Sequence, residues 1–186
     1  ESGNMDLALG DIDYAFCKST KDPEKYRFEK MISGAYLGKL SYFIIKEAVE
    51  EGLFSEHFAM EFAKLDDINT IQMSNFLEKR ETPLNDCVAH NETDAQTLTD
   101  ILTAHIERSA CLTAINLSAV VLATDFGKTK PVLINADGST YYKTEHLREF
   151  TEKYLFDFME KKGRKVEITQ IDSSPTIGSA IGALSL

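Results

Sequence analysis

The last third of the chain carries the pattern that most restricts its fold: a strand, a helix, a second strand and a second helix, in that order. The short apolar run 132–134 ends at an Asp-Gly pair, which is typical of a buried strand closed by a turn. Residues 165–171 alternate like a second strand, and helices are predicted over 144–161 and 177–186. This order requires a parallel strand pair joined by a right-handed crossover.

Two parallel strands are too few for a stable sheet. Small sheets are marginal in water, and all-parallel sheets normally bury several strands on both faces. The chain also begins at Glu1 rather than at Met. The sequence therefore predicts a single unit over 1–186 that is the later part of a domain whose first strands precede Glu1. Faces left uncovered by an absent part make a homo-oligomer an expectation as well.

Helical periodicity dominates the rest of the chain. Asp22-Pro23 is a typical helix start, and apolar residues at three- and four-residue steps predict a helix from there to about Gly52. A shorter amphipathic pattern covers 53–65, and the polar stretch 66–92 predicts a loop with short helical turns. Thr93 and Asp94 are the predicted caps of a long helix that is apolar nearly all round over 110–123 and therefore central. The predicted fold class is α/β and helix-rich, with a small parallel sheet flanked by long helices.

Composition and charge exclude several classes of function. The net charge of −10 opposes binding to nucleic acid or to an anionic membrane surface. No apolar run approaches the roughly 20 residues of a spanning helix, and no secretory signal pattern begins the chain, so we expect a cytoplasmic protein without a membrane partner. The three cysteines lack CxxC spacing and the four histidines lack metal-ligand spacing, so neither a disulfide framework nor a metal site is predicted.

Glu29 is the first candidate for chemistry. It lies near the border of the apolar stripe of its predicted helix, where a carboxylate could accept charge-assisted hydrogen bonds from two neighbouring hydroxyls of a sugar. Such a site rejects molecules that lack those hydroxyls, because its acceptor would be left unpaired. The alternative is an exposed helical glutamate that pairs with Lys25 or Lys30.

A family resemblance favours the first of these readings. The segment 28–40, FEKMISGAYLGKL, resembles the sugar-kinase signature of the hexokinase family. Further matches follow in the family's order and cover essentially the whole chain: Glu1-Ser2-Gly3, Asp13, Thr70 with Ser74, Arg108-Ser109-Ala110, Ala136-Asp137-Gly138-Ser139, and the Gly-rich stretch 178–184. The resemblance implies part of an actin-like, ribonuclease H-like ATPase domain, namely the C-terminal portion of a hexokinase large domain.

The resemblance also implies roles for individual residues. Glu1 and Glu29 match the two carboxylates that hold the hexose in the family. The residues implied to contact the nucleotide are Gly34, Ala35, Thr70, Ser74, Ile177, Gly178 and Ser179.

Other readings of these positions stay open. Gly34 and Gly38 are four residues apart and could only allow two helices to pack closely, and Thr70 or Ser74 could simply cap a turn. Asp137-Gly138 fits a tight turn better than a catalytic acid. Tyr26 departs from the family pattern, because many relatives have Gln near the sugar at that position.

The implied function is an ATP-dependent hexose kinase that converts ATP and a hexose, glucose by expectation, into ADP and hexose 6-phosphate with ATP and Mg²⁺. The family's catalytic aspartate precedes the segment matched by Glu1, so no catalytic residue is expected in this chain and the isolated fragment is expected to be inactive. One alternative is a catalytically inactive hexokinase-like protein that binds or senses sugar. A second is an unrelated α-rich interaction domain.

Overall fold

The computed structural model describes residues 2–171 and 174–184, which form a 3₁₀ turn at Ser2–Asn4, ten α-helices and two strands. The bounds of these elements are α1 Asp11–Ser19, α2 Arg27–Ile32, α3 Leu37–Glu50, α4 Glu56–Phe62, α5 Thr70–Leu77, α6 Leu84–Cys87, α7 Glu92–Thr124, β1 Val132–Asn135, α8 Ser139–Lys143, α9 Leu147–Lys161, β2 Val166–Thr169 and α10 Ser174–Leu184.

The 33-residue helix α7 is the central element and packs against α2, α3, α5 and α9. The prediction that Thr93 and Asp94 cap it is wrong by two to three residues. The cap is Asn91, whose side chain accepts hydrogen bonds from the backbone N–H groups of Thr93 and Asp94. Asp94 instead points to the start of α4, where it accepts a hydrogen bond from the Ser55 backbone N–H at 3.1 Å.

By length and composition alone, α7 is long and apolar enough to cross a membrane. The prediction that no apolar run approaches the length of a membrane-spanning helix is therefore wrong. Core helices of soluble proteins meet the same criterion. Its first half buries Leu98, Leu102 and Ile106 completely among α3, α4 and α5. Part of its apolar character is therefore explained by the core of this chain.

The predicted helix from Asp22 to Gly52 is wrong as a single element. Its first part is the six-residue helix α2, which ends where Ser33 adopts an extended conformation with φ −81° and ψ 137°. The chain then turns through Ser33–Tyr36, with the Tyr36 N–H donating to Ser33 O at 2.8 Å, before α3 begins at Leu37. The apolar pattern continues through the break because both helices bury the same side, Met31 and Leu40 packing with Phe16.

The parallel strand pair is confirmed. β1 and β2 pair in register from Val132 with Val166 to Asn135 with Thr169. One face of this sheet packs on α7 and α9 through Ala114, Val121, Leu155 and Met159, whereas Leu133 on the other face is 63% exposed. The predicted fold class, a helix-rich chain with a small parallel sheet flanked by long helices, is therefore confirmed. The strand β2 is shorter than the predicted 165–171, whereas β1 contains the predicted run 132–134 and adds Asn135. Helix α9 begins three residues later than predicted because the chain forms the additional helix α8 first.

Candidate functional site

Glu29 lines a pocket of about 490 Å³ that we call the carboxylate pocket, formed by Ser2, Gly3, Tyr26, Phe28, Glu29, Ile32 and Ser33. The N-terminal turn closes directly on the glutamate, because a Cβ atom added to Gly3 would lie 3.3 Å from Glu29 Oε2. Gly3 therefore permits a close approach that a larger residue would obstruct. The pocket combines an accessible carboxylate with apolar and aromatic surface.

The lysine pairing considered for Glu29 does not form within residues 2–171 and 174–184. Lys30 is buried, 1% exposed, and its Nζ donates to the backbone oxygen of Asp22 at 2.5 Å. No ion pair of Lys25 is found in the described part of the chain, and the neighbouring Arg27 pairs with Glu24. The Glu29 side chain is exposed and remains available as an acceptor. Glu1, the second predicted hexose ligand, lies outside the described residues.

A second pocket of about 500 Å³, which we call the hydroxyl pocket, gathers three of the residues predicted to contact a nucleotide. Its lining includes Gly34, Thr70 and Ser74, together with side chains that come from α8 and its surroundings. Those side chains are Ser139, Thr140, Lys143 and Thr144. Arg80 and Glu78, which form an ion pair at 2.6 Å, stand at its edge.

Thr70 joins the start of α5 to the turn that ends α2. Its Oγ1 accepts a hydrogen bond from the Gly38 N–H at 3.0 Å and donates to Gly34 O at 2.7 Å. The two chain segments touch closely, since a Cβ on Gly38 would overlap the backbone of Asn69 and Thr70. The hydroxyl thus fixes the wall of the pocket, and the close packing expected of Gly38 is present as well.

Ser74, one turn further along α5, also ties this helix to a neighbouring segment. Its Oγ accepts a hydrogen bond from the Glu145 N–H at 2.9 Å and lies 3.3 Å from Lys143 O and 3.2 Å from Glu78 Oε1. Ser74 is itself 4% exposed. Its hydroxyl therefore holds the end of α8 against α5, and the contact of this hydroxyl with a ligand stays a prediction.

Sequence reasoning missed the contribution of α8. Gly138, at φ 139°, turns the chain out of β1 into this short helix, where Tyr142 OH donates to Ala136 O at 3.3 Å. Burial and the neighbouring Glu152 carboxylate raise the pKa of Tyr141, so its phenol stays protonated and donates to Glu152 Oε1 at 3.1 Å. These two bonds fix the orientation of α8. The available signal was an Asp-Gly turn followed by hydroxyl residues and a lysine.

The hydroxyl pocket offers groups suited to an anion. Lys143 is exposed, and no ion pair for it is found in the described part of the chain. The hydroxyls of Ser139 and Thr140 stand beside it. Hydroxyl donors with an ammonium group are the chemistry that binds phosphate oxygens.

The other predicted nucleotide contacts lie elsewhere. Ala35 is exposed next to Gly34 but does not line the hydroxyl pocket. Ile177, Gly178 and Ser179 lie in α10 and line neither pocket. The start of α10 is nevertheless tied to the turn after β1, because Ser174 Oγ donates to Asp137 Oδ2 at 3.1 Å.

The two pockets lie on either side of one turn. Ser33 lines the carboxylate pocket, and the next residue, Gly34, lines the hydroxyl pocket. Gly34 also touches α8, because a Cβ added to it would overlap the Thr140 side chain. The break between α2 and α3 therefore places a carboxylate site and an anion-suited site next to each other.

Within residues 2–171 and 174–184, no group of three or more His, Cys, Asp or Glu side chains is arranged to hold a metal ion. A metal that enters with a phosphate ligand does not need such a cage, because Mg²⁺ usually keeps several waters and binds through substrate phosphates.

Comparison with known proteins identifies the family. A family model described as hexokinase matches residues 1–185. The chain belongs to the hexokinase family. Its relatives include Hexokinase-1 of Homo sapiens, 28% identical over 153 residues, and Hexokinase-1 of Bos taurus, 27% identical over 153 residues. Each match covers 76% of this chain and 17% of the relative, so this hexokinase-family chain spans about a sixth of the length of those relatives.

Solved hexokinase structures share its fold. A hexokinase from Schistosoma mansoni complexed with glucose superposes with a TM-score of 0.69 at 18% identity, covering 87% of this chain and 38% of that one. A second hexokinase crystal structure gives a TM-score of 0.77 at 21% identity, and the match covers 93% of this chain and 40% of that one. The predicted membership of the actin-like ATPase fold is thereby confirmed.

Proposed function

We propose that this chain is the C-terminal portion of the large domain of an ATP-dependent hexose kinase and carries part of its sugar and nucleotide sites. The complete protein transfers the γ-phosphoryl group of ATP to a hexose hydroxyl, with Mg²⁺, in the cytoplasm. Glucose is the expected hexose. Family membership supports kinase chemistry, and the glucose bound by the Schistosoma mansoni relative supports this choice of sugar.

The adjacency of the two pockets carries the proposal. A kinase must hold an acceptor hydroxyl and a phosphate donor next to each other, because phosphoryl transfer depends on positioning and on charge stabilisation. The single step from Ser33 to Gly34 separates a pocket with an exposed carboxylate from a pocket with hydroxyls and a lysine. This arrangement fits a sugar on one side of the turn and phosphates on the other.

The residues of this chain would bind and orient the sugar and the phosphates of ATP, and none of them would take the proton from the sugar hydroxyl. Glu29 accepts hydrogen bonds from two sugar hydroxyls, and Gly3 lets the N-terminal turn close over it. Lys143, Ser139 and Thr140 bind phosphate oxygens, where ATP would bring Mg²⁺. The catalytic base comes from sequence outside this chain, so the isolated 186-residue chain is expected not to turn over.

Glu29→Gln in the protein expressed from its complete gene tests the sugar assignment. Calorimetric titration should show glucose affinity falling by about tenfold or more, because the charged acceptor is lost, while ATP affinity stays unchanged. Glu24→Gln is the matched control, since Glu24 lies five residues earlier in the chain, is exposed, and pairs with Arg27 outside the pocket.

The same protein separates the alternatives. ADP release that depends on both ATP and glucose supports the kinase. Glucose binding and glucose-dependent thermal stabilisation without ADP release would favour the catalytically inactive, sugar-binding alternative. Absence of any glucose binding would contradict both.

A further inference from the structure

Tyr26 adopts a backbone conformation that its side chain does not favour. It is the N-cap residue that precedes α2 and has φ 57° and ψ 34°, in the left-handed region where a residue with a Cβ is strained. Strained residues persist where the surrounding structure holds them, and they are concentrated at binding sites. A glycine would be expected if only the turn mattered.

The strained conformation is held by the N-terminal turn, whose residues Ser2 and Gly3 line the carboxylate pocket. The Tyr26 N–H donates to Asn4 Oδ1 at 3.0 Å, a bond between residues 22 positions apart. Asn4 ends the same 3₁₀ turn that brings Gly3 against Glu29 Oε2. One bond therefore couples the position of the tyrosine to the closure of the pocket around the carboxylate.

The ring of Tyr26 is not used by the core of the described chain. It lines the carboxylate pocket together with Glu29 and is 37% exposed. No ring pairing of Tyr26 and no hydrogen bond of its hydroxyl is found within residues 2–171 and 174–184. Tyrosine presents an apolar face and a polar tip, and its hydroxyl usually finds a partner when buried. Both the face and the tip are available to a ligand in this pocket.

We propose that Tyr26 determines the sugar specificity of this site: its ring stacks on the apolar C–H face of a pyranose whose hydroxyls bind Glu29. This inference rests on the proposed function. The Glu29 carboxylate accepts hydrogen bonds from the hydroxyls of any polyol, whether cyclic or open-chain. Only a closed ring offers a flat face for stacking, so Tyr26 makes the site prefer an aldopyranose to an acyclic polyol.

The test compares D-glucose with D-sorbitol, an open-chain polyol, by calorimetric titration of the protein expressed from its complete gene. Tyr26→Phe keeps the ring, whereas Tyr26→Leu keeps apolar bulk and the backbone strain but removes the flat ring. The expected result is that Tyr26→Leu lowers glucose affinity by about three- to tenfold, as a lost aromatic contact would, and leaves sorbitol affinity within about twofold. Tyr26→Phe should retain the preference for glucose.

Tyr14→Leu is the matched control, because Tyr14 is 42% exposed beside Arg27 and does not line the pocket. An equal loss of glucose and sorbitol affinity in Tyr26→Leu would overturn the inference, as would identical behaviour of Tyr26→Phe and Tyr26→Leu. If Glu29→Gln weakens glucose binding while the Tyr26 variants do not, the proposed function stands and only this inference fails. If the unsubstituted protein binds no glucose, both fail.

Discussion

Arg108 and Asp13 form a bidentate ion pair that ties α1 to α7 across 95 residues of sequence. Arg108 Nη1 and Nη2 donate to the two Asp13 carboxylate oxygens at 2.8 and 2.6 Å, and the Gly10 N–H donates to Asp13 Oδ2 at 3.0 Å. Arg108 Nη2 also lies 3.8 Å from Met31 Sδ, so the guanidinium contacts α2 as well. Replacing either Arg108 or Asp13 by a neutral residue should lower the free energy of unfolding.

Asp13 and Arg108 differ in burial, and this difference determines how much stability each substitution should cost. The Asp13 side chain is 7% exposed, whereas the Arg108 side chain is 39% exposed. Arg108→Gln leaves a buried carboxylate with one backbone donor, which should lower the free energy of unfolding by about 3 kcal/mol, the low end for a broken buried pair. Asp13→Asn leaves an arginine that water can reach, and should cost about 1–2 kcal/mol.

Urea unfolding of the two single variants and the double variant measures these values as a double-mutant cycle. The double variant should be more stable than Arg108→Gln alone, because it contains no unpaired buried charge. Lys64→Gln is the control: it removes an exposed partner of Glu61 and should cost less than about 1 kcal/mol.

Two results would refute this reasoning. One is an Asp13→Asn variant at least as destabilised as Arg108→Gln, because the cost would then not follow the burial of the charge left behind. The other is a double variant whose loss equals the sum of the single losses, because the two side chains would then act independently.

Two further predictions concern α7 and the hydroxyl pocket. Burial lowers the pKa of His105 to about 4, so between pH 6.5 and 4 the unfolded chain binds more protons than the folded chain. Stability should fall by about 3 kcal/mol as the pH drops through this window, and His105→Gln should flatten that part of a stability profile measured by urea unfolding. Gly34→Ala should weaken ATP binding by about fivefold or more in calorimetry, because the added Cβ overlaps Thr140. Gly10→Ala should not, because Gly10 lines neither pocket and its added Cβ would make only an ordinary contact at 3.8 Å with Asp13 Oδ2. An unchanged pH profile in His105→Gln, or equal ATP affinity in both alanine variants, would contradict the respective argument.

The elements that sequence patterns predicted well are those whose signals are long or chemically distinct. The alternation in β2, the apolar run of β1 and the periodicity of α7 and α9 each reflect burial against another element of this chain. The five-residue helix α8 could not be found in this way, because it is shorter than two helical turns. Its place in the hydroxyl pocket depends on hydrogen bonds that the Tyr141 and Tyr142 hydroxyls donate and that Ser74 Oγ accepts from the Glu145 N–H, and no local pattern contains them.

The roles of individual site residues show a similar division. Residue type and family pattern singled out Glu29, Gly34, Thr70 and Ser74, and the structure places Glu29 in one pocket and the other three in its neighbour. Sequence reasoning could not tell that the Thr70 and Ser74 hydroxyls are already engaged with backbone groups, because their partners lie 32 to 71 residues away. Whether these hydroxyls also contact a ligand stays a prediction.

The clearest failure of the sequence prediction lies at the site itself. An uninterrupted helix from Asp22 to Gly52 would satisfy the apolar periodicity, yet the chain leaves the helix at Ser33 and re-enters it at Leu37. The interruption is stabilised from outside by Thr70, whose hydroxyl bonds both Gly34 and Gly38. Through this break, Ser33 comes to line one pocket and Gly34 the other. Local rules are most often broken where function requires it, and here the break creates the boundary between the proposed sugar and phosphate sites.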